Sequence, residues 1–507
     1  MLDISEAISP VQRAEAAAAQ AKRLSGMVVC EGRLQAALTD HTFDVDNPAT
    51  ARIIGHAPRC GAADVDRAVA SAQAAFASWR HLTARDRAAF LVKAAARLES
   101  EAESIAQLSA FETGNALATQ TRGEAATMVD ILRFFAGLAG EVKGQTIPYL
   151  DGRLLFTKRE PLGVVAAIIP WNAPLMQLAS KIGPALAAGN TVVLKTAEQA
   201  PLAVLRCFEL LQEVLPPGVT NCISGFGEEA GRLLCEHPQV RKVTFTGSSA
   251  VGVKILHYAA DKIAPVTAEL GGKNPSVFLP DMDPAAAADG VVRGLRLQRQ
   301  GQSCTAGTRV YIHDSLYDEV VERVLAVIPT FRVGDPLDER TQVGSIISKS
   351  QLDRVERYVQ MARQTEGARI LTGGARPQDP ALKDGYFYQT TLIEGIPHAS
   401  QVCQDEIFGP VATLARWTDF NAVIKEANDV KFGLAATVWT NDLSKAFQFI
   451  EQVDAGFVQV NQYAVAEANI EYGGTKMSGM GKELSLESML HHFTWSKTAI
   501  INPNISA

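Results

Sequence analysis

A cysteine, a carboxylate and an amide stand where the sequence predicts strands to end. Cys304 lies in GQSCTAGTR (301–309), among small and polar residues. Glu269 closes the β-prone run PVTAEL, and Asn172 follows the apolar run GVVAAIIP. A thiolate is a nucleophile, a carboxylate with a raised pKa can act as a base, and an amide can donate a hydrogen bond to an oxyanion. These three residue types could therefore serve covalent catalysis.

Structural roles remain open for the same residues. Free cysteine often packs in a core as a small hydrophobe, and asparagine before Ala-Pro is often a turn residue. Glu269 could form an ion pair with a lysine such as Lys273. A thiol with a pKa near 8.5 is only ~3% ionised at pH 7, so Cys304 would need activation to become a nucleophile.

Composition excludes several classes of function. The 507 residues exceed the usual size of one hydrophobic core and predict two or three domains. The net charge of −7 gives no reason to expect a nucleic acid or an acidic membrane as a partner. The apolar runs are too short to span a membrane, and residues 1–24 resemble an alanine-rich helical extension rather than a signal peptide. We therefore expect a cytoplasmic protein.

The cysteines argue against a disulfide framework and against a metal site. They are odd in number, scattered, and contain no CxxC pair, which also favours a reducing compartment. The seven are Cys30, Cys60, Cys207, Cys222, Cys235, Cys304 and Cys403.

Alternating strands and helices must position the candidate residues. Such alternation predicts a parallel sheet with helices on both faces, and it resumes after Cys304, which predicts a second α/β domain from about 272 to 470. Residues 64–140 favour helices, and the Asp-Gly pair at 151–152 indicates a hairpin over 145–162. The predicted strands of the first domain are 163–170, 190–195, 220–224, 240–247 and 265–270.

Two glycine-containing loops follow predicted strands and could face a phosphate group. They are SGFGEEAG (224–231) and FTGSSAVG (245–252), in which Ser248 could cap a helix. Either could equally be a plain tight turn. Val253 follows Gly252 where a Walker A loop requires lysine, so a dinucleotide is favoured over a nucleoside triphosphate.

Seven motifs in one order resemble the NAD(P)-dependent aldehyde dehydrogenase superfamily from roughly residue 40 to 500. They are PWNAPL, KTAEQAP, FTGSSAVG, ELGGKNP, GQSCTAGTR, DEIFGPV and YGGTKMSGMGKE. The resemblance implies an α/β subunit with a Rossmann-like cofactor domain (25–144 and 163–271), an α/β catalytic domain (272–472) and a small β-ribbon for oligomerisation (145–162 and 484–502). It also implies a homodimer or a homotetramer.

The resemblance assigns roles to four catalytic residues. Cys304 matches the nucleophile that forms a thiohemiacetal and then a thioester, and Glu269 matches the base that activates water for hydrolysis. The oxyanion would lie between the Asn172 amide and the Cys304 N–H. Lys181 matches a lysine thought to support the site, although a structural salt bridge is an equal alternative.

The cofactor implied is NAD. Lys195 and Glu198 match the residues that meet the adenosine ribose, and a carboxylate there should repel a 2′-phosphate, so NAD is preferred over NADP. Ser249-Ala250 and Thr196 depart from the common pattern beside this site. The other positions matched to cofactor binding are Ile168, Pro170, Trp171, Gly227, Gly231, Phe245, Gly247, Ser248, Val251, Leu270, Gly271, Glu406 and Phe408, with Gln351 and Arg354 as weaker matches.

The substrate tunnel departs most from the family pattern. Positions that often supply aromatic walls are small or polar here, which predicts a wide, polar tunnel for a polar or bulky small-molecule aldehyde, unless loop differences refill the space. Arg299 and Glu467 lie close by in the sequence. CoA-acylating oxidation and a non-catalytic NAD-binding role are the rivals, and the presence of Glu269, Cys304 and Asn172 argues against them. The positions that often supply aromatic walls are Ala173, Ser180, Gln298 and Ala466, and the predicted tunnel residues are Ala173, Leu175, Gln298, Ser303, Thr305, Ala466 and Tyr472.

Overall fold

The computed structural model describes residues 9–150, 152–463 and 467–503. Its first sheet has a parallel centre, as predicted, with antiparallel strands at both edges that the alternation did not predict. The central strands Val164–Ile168 and Thr191–Lys195 are fully buried because helices cover both faces, which explains their continuous apolar runs. The order of strands is Arg33–Ala36, Met27–Cys30, Thr220–Ile223, Thr191–Lys195, Val164–Ile168, Val240–Thr246, Val266–Glu269 and Gly479–Met480.

The second sheet is built on the same plan. It is parallel except for one edge pair, Arg369–Thr372 with Thr391–Glu394. The order is Arg369–Thr372, Thr391–Glu394, Val411–Trp417, Arg309–His313, Pro275–Phe278, Ala435–Trp439 and Phe457–Val460. The two sheets confirm the predicted combination of a Rossmann-like α/β unit with a second α/β unit.

Helices surround both sheets, and those predicted within 64–140 are present. The segment 228–238 differs from a plain helix, because it begins as a π-helical turn, Gly227–Gly231. The α-helices are Pro10–Leu24, Ala62–Trp79, Ala84–Glu99, Ala102–Thr113, Arg122–Leu138, Pro174–Ala187, Leu202–Leu211, Arg232–Glu236, Ser249–Ala260, Pro284–Gly294, Asp314–Val327, Lys349–Gln364, Gln401–Gln404, Phe420–Asn428, Leu443–Gln452 and Leu486–Phe493. Within the described residues, none of them is both long and apolar enough to cross a bilayer.

A separate ribbon pairs two distant parts of the chain. Leu154–Pro161 pairs with Thr146–Ile147 on one side and with Thr494–Ile501 on the other, both antiparallel. Two further short pairs are Thr42–Asn47 with Arg52–Pro58, and Phe432–Gly433 with Thr475–Lys476. The tip of the predicted hairpin, residue 151, lies outside the described residues.

The N-terminal helix Pro10–Leu24 packs on the body of the protein. Ser9 caps it in a reciprocal capping box with Gln12, and Ala17, Ala21 and Leu24 are fully buried in the main core. The predicted extension therefore docks over residues 10–24, whereas residues 1–8 lie outside the described part.

Parallel register places the candidate residues at one edge of the first sheet. Ile168 pairs with Lys195 and with Phe245, and Thr246 pairs with Glu269, so these strands end at one level. Ligands of open α/β sheets bind beyond this carboxyl edge. Asn172 follows the same edge, and Cys304 lies in the loop between the helix Pro284–Gly294 and the strand Arg309–His313 of the second sheet.

Candidate active site

Cys304 is the accessible thiol of the chain. All seven cysteines lie within the described residues, and Cys304 alone among them is partly exposed. Its Sγ lies 3.1 Å from the hydroxyl of Tyr472. Desolvation by the surrounding protein raises the pKa of the Cys304 thiol, while the hydrogen bond with Tyr472 lowers it. Burial raises the pKa of Tyr472 well above its usual value, so this hydroxyl keeps its proton and acts as the donor to a thiolate.

Asn274 fixes the backbone around Cys304. Its Nδ2 donates to the carbonyls of Cys304 and Ala306, at 2.7 and 2.9 Å, and its Oδ1 accepts from Ala435 N–H at 3.0 Å. Sequence reasoning missed this residue, although a polar side chain within ELGGKNP was the available signal. Within the described residues the Cys304 N–H makes no hydrogen bond, so it remains a free donor.

Asn172 extends its side chain to the cysteine loop instead of closing its own turn. Its Nδ2 donates to the carbonyl of Gln302 at 3.0 Å. Asn115 Nδ2 in turn donates to the carbonyl of Asn172 at 3.3 Å. This pair of contacts holds the amide against the wall that carries Cys304.

Glu269 is a buried carboxyl group without a partner. Both of its oxygens are shielded from solvent and make no hydrogen bond within the described residues. The ion pair with Lys273 is not formed, because Lys273 Nζ donates to the carbonyl of Val402 at 2.7 Å. Burial, reinforced by the nearby charge of Glu483, raises the pKa of Glu269 well above its ordinary value. A carboxylate in this environment is a stronger base than one in water.

Lys181 forms the structural salt bridge that the sequence left open. Its ammonium group is fully buried and pairs with the carboxylate of Glu483. Lys242 lies in the same cluster and donates to Thr267 Oγ1. Burial lowers the pKa of Lys242 to about 7, against the opposing influence of Glu483. Glu483 and Lys181 lie close enough to Glu269 for their charges to act on its pKa, which Glu483 raises and Lys181 lowers.

One cavity of about 640 Å³ joins the cysteine loop to the glycine loop 245–252. Residues predicted from the sequence line both ends of this cavity. The cavity therefore joins the predicted catalytic residues around Cys304 to the predicted cofactor residues of the glycine loop. Among the predicted residues the cavity is lined by Pro170, Trp171, Asn172, Ala173, Gly247, Ser248, Leu270, Gly271, Ser303, Cys304, Thr305, Glu406, Phe408 and Tyr472.

The predicted adenosine end lies beyond that cavity. Glu198 Oε1 accepts from Lys195 Nζ and from Gly227 N–H, each at 2.8 Å. A Cβ atom at Gly231 would lie 4.0 Å from the Ile168 side chain, and Phe245 is buried beside Gly247. The hydroxyl of Ser248 caps the helix through Val251 N–H. The helix Ser249–Ala260 therefore points its N-terminus toward the cavity, as an anion site requires.

A strained turn presents Glu406 and Phe408. Phe408 has φ of +61°, and Gln351 Nε2 donates to its carbonyl at 2.7 Å, while Arg354 donates to the carbonyls of Glu406 and Ile407. Gln351 and Arg354 thus hold the turn. Glu406 Oε1 accepts from Gly272 N–H at 3.0 Å, and burial raises the pKa of Glu406 to about 7.

The structure separates a few predicted tunnel residues from the cavity. Gln298 lines a different cavity of about 360 Å³, Leu175 is fully buried, and Ala466 lies outside the described residues. Arg299, the neighbour of Gln298, lines the cavity with Cys304 instead. No group of three or more metal-ligating side chains occurs among the residues that the structure describes.

Known proteins resemble this chain over nearly its whole length. The model of the aldehyde dehydrogenase family matches residues 35–499. Hydroxyisobutyraldehyde dehydrogenase of Mycolicibacterium austroafricanum is 39% identical over 463 residues, 91% of this chain and 90% of the relative. Betaine aldehyde dehydrogenase of Staphylococcus aureus, solved with NAD+, superposes with a TM-score of 0.94 at 32% identity, over 98% of each chain. An aldehyde dehydrogenase of Bacillus cereus, also solved with NAD+, superposes with a TM-score of 0.91 at 35% identity, over 95% of this chain and 97% of that one.

The chain belongs to the aldehyde dehydrogenase family. The resemblance carried by the seven motifs is thereby confirmed, and so is the α/β fold that it implied.

Proposed function

We propose that this protein oxidises an aldehyde to a carboxylic acid with NAD, through a thioester on Cys304. The observation that carries the proposal is the cavity that places an accessible thiol beside Asn172 and Tyr472 and continues to the glycine loop 245–252. The unpartnered carboxyl of Glu269 supplies a base close to the same loop.

The chemistry follows from the roles that these groups can take. The Cys304 thiolate attacks the aldehyde carbon, and the Asn172 amide and the Cys304 N–H donate to the oxyanion of the thiohemiacetal; one such donor is worth about 3–4 kcal/mol in the transition state. NAD, which Glu406 and Phe408 of the cavity would help to hold, would supply the acceptor for the hydride that leaves this carbon. Glu269 then removes a proton from water, which attacks the thioester, releases the acid and restores the thiol.

The residues of the first sheet suit a dinucleotide. The Glu198 carboxylate is held by Lys195 and Gly227 at the carboxyl edge, where it can accept from ribose hydroxyls and repel a 2′-phosphate. Glu406 and Phe408 line the same cavity as Cys304 and the glycine loop 245–252. These contacts support NAD in preference to NADP.

The test is oxidation of a panel of aliphatic, aromatic, amino and carboxylate-bearing aldehydes, followed by absorbance of the reduced cofactor. We expect the wild-type protein to reduce NAD with at least one aldehyde class and to release a free acid. Cys304→Ala should be inactive, while Cys403→Ala, which removes a buried cysteine, should retain activity. Formation of an acyl-CoA only when CoA is added would favour the acylating reaction, and no reaction with any aldehyde would contradict the proposal.

The ribbon supports a homodimer or a homotetramer. Leu154, Trp495 and Ile500 on its strands are 44–55% exposed, and its outer strands leave backbone groups unpaired. Such an edge is a ready site for pairing with a second copy. Light scattering should give a multiple of the 54.4 kDa chain mass, and a monomer at micromolar concentration would contradict this assignment.

A further inference from the structure

The cavity contains a buried positive charge that nothing in the proposed chemistry uses. Arg299 is 8% exposed and lines the cavity together with Cys304 and Asn172. Within the described residues its guanidinium makes no hydrogen bond and no ion pair, although the other positions around the cysteine loop are densely bonded. A buried guanidinium without a counter-charge is costly, so its retention here calls for a ligand.

Glu124 is one acid close enough to feel the charge of Arg299. Burial raises the pKa of Glu124, and Arg299 partly offsets this increase. However, its carboxylate accepts from Leu175 N–H at 2.8 Å, from Met176 N–H at 3.3 Å and from Gln120 Nε2 at 3.2 Å. These three donors account for the position of that carboxylate, and none of them is Arg299.

The remaining charges around Arg299 do not neutralise it. Arg296, of the same short turn, adds positive charge. Both carboxyl oxygens of Glu269 are without a hydrogen-bond partner within the described residues, so Glu269 does not pair with Arg299. Glu406 accepts from Gly272 N–H in the other half of the cavity. Within the described residues, none of these carboxyl groups therefore forms an ion pair with the Arg299 guanidinium.

Polar and apolar side chains line the same cavity as Arg299. Gln177, itself 7% exposed, adds an amide to the lining, and Met176 and Ala173 add apolar surface. A ligand that fits would combine a short apolar stem with an anionic oxygen group at its far end. A carboxylate matches the fork of a guanidinium and can accept from both of its N–H edges.

We propose that Arg299 binds the carboxylate of the substrate, and that the preferred substrates are aldehydes with a carboxylate at the opposite end, namely ω-oxo acids. This inference rests on the proposed oxidation for the aldehyde group of the substrate. The preference for a negatively charged substrate depends on Arg299 alone. A neutral aldehyde of the same length leaves the buried guanidinium unpaired, and this penalty generates the discrimination.

The test compares 4-oxobutanoate and 5-oxopentanoate with butanal and pentanal. We expect the wild-type kcat/KM to favour the oxo acids, and Arg299→Gln to reduce that preference by about 10- to 100-fold. Arg299→Lys should retain part of it. Arg293→Gln is the matched control, because Arg293 is exposed and pairs with Asp289 outside the cavity, so it should leave the preference unchanged.

Two outcomes would overturn the inference. If Arg299→Gln slows the neutral and the anionic aldehydes equally, Arg299 acts on the Cys304 thiol and not on the substrate. A wild-type preference for neutral aldehydes would refute it as well. Calorimetry with glutarate, the acid expected from 5-oxopentanoate, separates this inference from the reaction: binding to the wild type and at least ~10-fold weaker binding to Arg299→Gln are expected even if no aldehyde is oxidised. Equal binding by both would contradict the role of Arg299.

Discussion

Tyr472→Phe tests whether the hydroxyl beside Cys304 activates the thiol. The substitution removes one oxygen, 3.1 Å from Sγ, and little else. The ring keeps its edge contact with Phe457, whose centroid lies 5.5 Å away, and the backbone of Tyr472 keeps its two hydrogen bonds with Glu483. The variant should therefore fold as the wild type does.

The expected magnitude follows from the loss of one hydrogen bond to a charged acceptor. Such a bond contributes about 1.5–3 kcal/mol, and each 1.36 kcal/mol corresponds to a factor of ten. Because Tyr472 keeps its proton, it stabilises the thiolate and lowers the pKa of Cys304. Without it, the thiolate fraction at a pH below that pKa should fall by about 10- to 100-fold.

The assay is alkylation of the free enzyme by iodoacetamide across pH. The rate at Cys304, followed by peptide mass spectrometry, should fall by that factor near neutral pH, and the pH profile should move to higher pH. Tyr463→Phe is the control, since Tyr463 is a tyrosine of the same region that donates to Ser276 instead. Identical alkylation profiles for wild type and Tyr472→Phe would refute the proposed activation.

Three further predictions concern the cofactor site and the cluster behind Glu269. Glu198→Ala removes the carboxylate held by Lys195, so the ratio of kcat/KM for NAD to that for NADP should fall by about tenfold or more; an unchanged ratio would contradict the assignment. Burial raises the pKa of Glu406 to about 7, so this carboxyl group ionises and becomes a stronger hydrogen-bond acceptor between pH 6 and pH 8. NAD should therefore bind more tightly in calorimetry as the pH rises over that range, and Glu406→Gln should abolish the dependence. Lys181→Met leaves Glu483 buried and unpaired and should lower the free energy of unfolding by about 3–5 kcal/mol, most of which the double variant with Glu483→Leu should restore in thermal melts.

The sequence predicts the edge of the site better than its interior. Asn172 and Glu269 could be placed together because parallel strands end at a common edge, and this rule needs only the alternation of strands and helices. The burial of Glu269 also follows from the apolar strand that carries it. The antiparallel edge strands could not be predicted in this way, because their pairing depends on chain segments far outside the alternation.

Contacts between distant segments leave no local pattern. Tyr472 reaches Cys304 across 168 residues, and Lys181 reaches Glu483 across 302 residues. The choice between Gln298 and Arg299 as the cavity residue is set by a short 3-10 turn between positive φ angles at residues 296 and 300. No hydrophobic period marks such a turn, so the sequence alone does not indicate which of the two side chains lines the cavity with Cys304.

The most direct test of the central claim is a single-turnover experiment on Glu269→Gln. If Cys304 forms a thioester that Glu269 helps to hydrolyse, this variant should reduce about one NAD per subunit in a burst and then turn over at least ~100-fold more slowly than wild type. Mass spectrometry of the quenched protein should find the acyl group on the peptide that contains Cys304. Steady turnover at the wild-type rate, or an acyl group on any other residue, would contradict the mechanism.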